Sequence, residues 1–223
     1  MKWSEHVWEQ SRPIYHKILE LPFIKELMNG TLSKERFFFY LQQDAIYLSE
    51  YGKILTEIAS RADNQSHAQT FTRFADDCIF VESALHQSYL NGNNHSTLFT
   101  ASPSCLLYTG YLHQLLSNTS IHIAMAGVLP CFRIYKEVGD YILSHQTKNI
   151  DNPYQQWINT YGGEGFEKSV EQATAICDEV AAQSTADEQA LMTKAYMQAS
   201  QLEWMFWNSA WNLEQWPLKE TNQ

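Results

Sequence analysis

The sequence has 223 residues, 44% of them hydrophobic, and a formal net charge of −10. That length allows one large domain or two small ones, buries a core without disulfide staples, and carries a globular rather than a disordered composition. The acidic balance and the absence of any Lys/Arg cluster argue against nucleic acid or an anionic membrane as partner, and no apolar stretch reaches the roughly 18 residues of a membrane span.

The first helical run covers 2–20, and its Glu5 and Glu9 stand where a secretion signal would be apolar. Ser33 caps a run over 34–61, and a further run spans 65–91. Ser102-Pro103 and Asn152-Pro153 each put a capping residue before a proline suited to the first helical position. The runs beyond them cover 104–117, 120–146 and 165–182. Thr185 to Glu188 has capping-box spacing before a last run that reaches about 215. Alternation of the strand kind is nearly absent and the connections are short. The pattern predicts one all-α catalytic domain over 1–223, a bundle of seven or eight longer helices. Cysteines stand at 78, 105, 131 and 177 with no CxxC pair and no secretion signal, which predicts reduced thiols in a cytoplasmic protein.

Candidate functional residues are polar groups at positions where the helical period calls for apolar ones. Asp44 falls among Tyr40, Leu41, Tyr47 and Leu48 at helical spacing. A carboxylate on that face needs partners, and the hydroxyls of Tyr40, Tyr47 and Tyr51 are candidates; the residue reads either as functional or as a structural Asp held by tyrosines. Glu203 interrupts the stripe of Met192, Ala195, Tyr196, Ala199, Phe206 and Ala210. Burial there would raise its pKa towards neutrality, as suits a proton donor or acceptor, unless a histidine or arginine pairs it.

Pro130 interrupts "IAMAGVLPCFRIYKEVG", and Cys131 follows it. Either Pro130 kinks a continuous helix and frees the Ala126 carbonyl, or it opens a new helix whose N-terminus would favour a Cys131 thiolate. A cysteine taken alone reads equally well as a buried apolar residue. Cys78, Cys105 and Cys177 read as ordinary core or surface residues. Tyr47, Tyr108, Tyr135, Tyr161 and Phe206 come from different segments and would sandwich a flat heteroaromatic ligand if they converged.

Five stretches in order, "FFFYLQQDAIYLSEY", "CLLYTGYL", "AGVLPCFRIYKEVG", "YQQWINTYGGEGF" and "SQLEWMFWNSAWNLEQW", resemble the TenA-type thiaminase II family, the aminopyrimidine aminohydrolases, in its cysteine-bearing branch. The resemblance implies the haem oxygenase-like all-α fold, a homotetramer, no cofactor, and a pocket for an aminopyrimidine or thiamin. It implies roles in thiamin salvage for Asp44 as binder of the pyrimidine amino edge, Cys131 as nucleophile and Glu203 as acid/base. Tyr47, Tyr108, Tyr135, Tyr161 and Phe206 match its pocket positions. Two departures stand out. Arg133 replaces a tryptophan common two residues after the cysteine, and Tyr47 replaces the phenylalanine of some relatives. Two other classes fit the same helices: a metal-dependent oxidase, for which Glu82 and His86 lie one turn apart, and a non-catalytic pyrimidine-binding or regulatory protein.

Overall fold

A computed structural model of the chain describes residues 1–90, 99–147 and 151–218, and side chains throughout these except at 80–90. The described residues form nine helices and no strand: α1 (Trp3–Glu20), α2 (Pro22–Asn29), α3 (Lys34–Arg61), α4 (Gln65–Leu90), α5 (Pro103–Asn118), α6 (Ile121–His145), α7 (Gln155–Tyr161), α8 (Glu164–Gln183) and α9 (Ala186–Asn212). Seven are long, as the sequence pattern predicts; α2 and α7 are short. No helix of the described residues is long and apolar enough to cross a membrane.

Local chemistry fixes most ends. The hydroxyls of Ser33, Ser102 and Thr185 accept from the backbone N–H groups of Arg36, Cys105 and Glu188, each satisfying one orphan donor. The capping box at Thr185 is only half formed, because the Glu188 carboxylate turns to Ser120 instead. At the far end of α9 the chain folds back, and Glu214 accepts from the Ser104 backbone N–H at 2.8 Å and its hydroxyl at 3.0 Å. A carboxylate thus sits at the positive end of α5. The expected cap at Asn152-Pro153 is corrected: Pro153 lies in a turn and α7 begins at Gln155. Asn152 is spent elsewhere. Its amide donates to the Leu27 and Met28 carbonyls at the end of α2, and its Oδ1 accepts from the Tyr154 N–H. Helix α2 then stops at Gly30, whose φ of 70° suits glycine.

Helix α6 lies at the centre, packed along α9 and α8 and against α5 and α7, while α3 runs along α4 and α5. Helix α6 is continuous through Pro130, so of the two alternatives the uninterrupted helix holds and Cys131 does not stand at a helix N-terminus. The approach of α6 to α7 rests on Gly139. A Cβ there would lie 2.6 Å from the Gly162 nitrogen and 2.7 Å from the Tyr161 carbonyl carbon. Backbone cannot yield as a side-chain tip can, so Gly139→Ala should push α7 off α6 and cost about 1–3 kcal/mol. Gly110→Ala, on an exposed turn of α5 with nothing within 4 Å, should instead gain about 0.5–1 kcal/mol. Paired urea unfolding curves check both signs.

Candidate active site

A cavity of about 350 Å³ opens between α3, α4, α6, α7 and α8. Five of the eight predicted site residues line it: Asp44 and Tyr47 from α3, Cys131 and Tyr135 from α6, and Tyr161 from α7. The arrangement follows from the sequence. Tyr47 lies one turn beyond Asp44 on α3, and Tyr135 one turn beyond Cys131 on α6, so each helix shows one polar group and one ring to the same space. Tyr135 and Tyr161 meet at 4.8 Å between ring centroids, and Phe166 closes edge-on over Tyr161 at 5.3 Å.

The other three residues stand behind this wall. Glu203 is 1% exposed, and its Oε1 accepts from the Tyr108 hydroxyl at 2.7 Å. Tyr108 packs on Tyr47 at 4.9 Å, and Phe206 supports Tyr47 at 5.6 Å. Glu203 is therefore held by a tyrosine, not by the histidine or arginine of the alternative reading. Burial, and then the Asp44 charge, raise its carboxyl from 4.5 to about 8 against the opposing pull of the Tyr108 hydroxyl.

Asp44 is 2% exposed. The hydroxyls of the same-helix tyrosines Tyr40, Tyr47 and Tyr51 are used in different ways. The Tyr40 hydroxyl is shared with Tyr135, Tyr51 donates to the Val128 carbonyl at 2.8 Å, and the Tyr47 hydroxyl meets no hydrogen-bond partner. A buried hydroxyl without a partner is costly, and this one belongs to a cavity-lining residue.

Cys131 is partly accessible, through the cavity it lines. Its thiol departs from the sequence expectation. Burial first, then the Glu203 charge, push its pKa well above the ordinary value, and only the neighbouring Tyr47 hydroxyl pulls the other way. Without the dipole of a helix N-terminus, nothing outweighs the burial and the thiol stays protonated. The Tyr47 hydroxyl, itself without a hydrogen-bond partner, lies near both the thiol and the Tyr108 hydroxyl, and Tyr108 donates to Glu203.

Sequence reasoning missed part of the cavity. Asp77 and Cys78 on α4 line it, as do Phe166 and Ser169 on α8, so Cys78 is no ordinary core residue. Cys105 and Cys177 are ordinary: both thiols are buried and donate to backbone carbonyls, of Gln43 and Met125. Arg133 faces away. It pairs with Glu137 at 2.9 Å, lies over the Trp8 ring at 4.8 Å, and borders a separate polar groove with Lys136 and Asp140. It therefore acts on packing between α6 and α1, not on the ligand. The side chains of Glu82 and His86 lie outside the described residues, and among those described no three His, Cys, Asp or Glu side chains gather as metal ligands.

The model of the TENA/THI-4/PQQC family matches residues 8–213. A relative from Corynebacterium efficiens, "Thiamine biosynthesis multifunctional protein ThiED", is 34% identical over 215 residues; the match covers 94% of this chain, which spans only 29% of that protein's length. The "Aminopyrimidine aminohydrolase" of Bacillus subtilis is 29% identical over 220 residues, covering 97% of this chain and 92% of that one. Among solved structures, a TenA homologue from P. horikoshii superposes with a TM-score of 0.79 at 23% identity, over 95% of this chain and 99% of that one. A domain from Shewanella denitrificans described as having a heme oxygenase-like fold reaches 0.74 at 15% identity, over 94% and 92%.

Proposed function

The chain belongs to the TENA/THI-4/PQQC family, and from that premise we propose that it is a hydrolase of thiamin salvage that replaces the group on the 5-methylene of a 4-amino-2-methylpyrimidine with water. Its substrates would be 4-amino-5-aminomethyl-2-methylpyrimidine, releasing ammonia, or thiamin, releasing the thiazole. The observation that carries the reading is the convergence of Asp44 and Cys131, from two helices, on one aromatic-walled cavity.

Direct displacement by water at that carbon is slow, so covalent assistance is the economical route. Asp44 accepts a hydrogen bond from the 4-amino group; holding the adjacent ring nitrogen as well needs a proton on the carboxyl or the ring. In the proposed mode the Tyr47 hydroxyl turns to bridge the Cys131 thiol and Tyr108, and the thiol proton passes along this line to the Glu203 carboxylate. The thiolate then adds to the ring carbon beside C5 while a ring nitrogen takes up the proton that Glu203 received. Electrons return from the ring to expel the leaving group with its bonding pair, as neutral ammonia from the ammonium form. Water adds to the exposed methylene and loses its proton to the Glu203 carboxylate, and the thiolate is expelled as the ring nitrogen returns its proton to sulfur, which restores aromaticity and the thiol. The raised thiol pKa fits this order. A cationic substrate brings the positive charge that favours the thiolate only once it is bound.

The reading carries with it a cytoplasmic homotetramer, as the family resemblance implies. Its test is ammonia release from 4-amino-5-aminomethyl-2-methylpyrimidine, run beside thiamin hydrolysis. Release is expected; binding without turnover of either compound would point to a non-catalytic binder and sink the hydrolase. Asp44→Ala should fail first in binding, with affinity for the pyrimidine down roughly 10–100-fold, because the hydrogen bond lost goes to a buried charged group. Calorimetric titration with the hydroxymethyl product reads that loss separately from catalysis.

A further inference from the structure

The cavity has two acidic residues at very different depths. Asp44 is buried, whereas Asp77 is an exposed side chain at the mouth, where α4 faces the half-buried hydroxyls of Thr160 on α7 and Ser169 on α8. Among the described residues no lysine, arginine or histidine lines this cavity. Arg73, one turn before Asp77, does not line the cavity: it donates to Gln172 on α8 and lies beside the Phe74 ring at 5.6 Å. A ligand entering the cavity therefore passes a carboxylate at the mouth with no cationic wall residue among those described to offset it. A low-dielectric cavity of one sign concentrates ligands of the other.

The 4-aminopyrimidine half of the ligand is claimed by Asp44 inside, so the group on the 5-methylene faces outward. We propose that Asp77 is a specificity residue that selects the charge of that outward group. Cationic groups, an ammonium or a thiazolium, are drawn in, and groups ending in a phosphate are repelled. The proposal rests on the hydrolase reading and deepens it by naming the leaving-group class. Phosphate recognition beside an acidic mouth needs cationic side chains to offset the carboxylate. Among the described lining residues the wall offers the Thr160 and Ser169 hydroxyls and the first turn of α8 at Gly165 and Phe166, but no arginine or lysine.

The test compares kcat/KM for three compounds: the aminomethyl pyrimidine, thiamin and thiamin monophosphate. Wild type, Asp77→Asn and Asp77→Lys are measured, with Asp76→Asn as control. Asp76 is the exposed neighbour off the cavity wall, and its substitution makes the same change in net charge. Asp77→Asn should lower kcat/KM for the cationic amine about fivefold relative to the phosphorylated compound, and Asp77→Lys about twentyfold or more. Both shifts should shrink in about 0.5 M salt, and Asp76→Asn should leave the ratio within about twofold. An unchanged ratio in an Asp77→Lys protein that still turns over the amine overturns the proposal and leaves the hydrolase reading standing. If wild type turns over none of the three, the hydrolase reading fails. Dissociation constants of the same compounds for wild type and Asp77→Lys then decide the charge preference on their own, and equal ratios there overturn it.

Discussion

Cys131→Ser should lower kcat for ammonia release by roughly a thousandfold or more while affinity for the pyrimidine stays within a few-fold. The exchange keeps the size of the side chain and its place on the cavity wall, and it spares Asp44, which makes the recognition contact in the proposed mode. What it removes is a group that can become an anionic nucleophile in a site where burial already opposes the anion. Burial and the Glu203 charge hold even the thiol well above its ordinary pKa, and a hydroxyl starts several units higher still. If Cys131 were only a satisfied apolar residue, serine would be a mild packing change and turnover would survive. Steady-state ammonia release measured beside calorimetric binding separates the two. Full activity in the serine variant would remove the covalent route and leave direct attack by water, with Glu203 as base.

The fold was legible where chemistry is local. Ser33, Ser102 and Thr185 act within one turn of their own backbone, so their roles could be read from spacing. Asn152 could not be, because the carbonyls it satisfies belong to α2, 124 and 125 residues away along the chain. Helix α2 went unread although Pro22 at its start and the left-handed Gly30 at its end are the expected punctuation. Eight residues are too few for periodicity to speak.

The site divides the same way. Asp44, Glu203 and Cys131 announced themselves as polar groups on apolar faces of single helices. Asp77 and Cys78 gave no such signal, because their place depends on how α4 lies against α7 and α8. The state of the Cys131 thiol was also beyond the sequence. Pro130 permitted either a helix start or a continuous helix, and in the continuous one the thiol loses the dipole and gains only the burial.

Glu203→Gln should abolish most turnover and at the same time make the protein more resistant to alkaline unfolding. The two effects share one cause. Burial holds the Glu203 carboxyl at about 8 in the fold, against 4.5 when unperturbed. Between those values the folded chain keeps a proton that the unfolded chain releases. The stability this gives is whole below about pH 4.5, and it is lost as pH rises through the window towards 8. Above 8 the native protein carries a buried anion at full cost. Glutamine never ionises and can still accept from Tyr108, so the stability gap between variant and wild type should be near zero at the acid end. It should widen to about 3 kcal/mol above pH 8, a value discounted from roughly 1.4 kcal/mol per pKa unit. Catalysis moves oppositely. If the carboxylate receives the proton of the thiol and later of water, kcat/KM in wild type should rise with pH through an apparent pKa near 8. The glutamine variant should lose that limb and fall by roughly a hundredfold to a thousandfold, with pyrimidine affinity retained because Glu203 stands behind Tyr47 and Tyr108. Unfolding curves at pH values spanning the window, paired with pH–rate profiles, read both. A variant that loses activity without gaining alkaline stability would mean that the carboxyl is not buried in its charged form. One that gains stability and keeps its alkaline limb would move the base from Glu203 to another group.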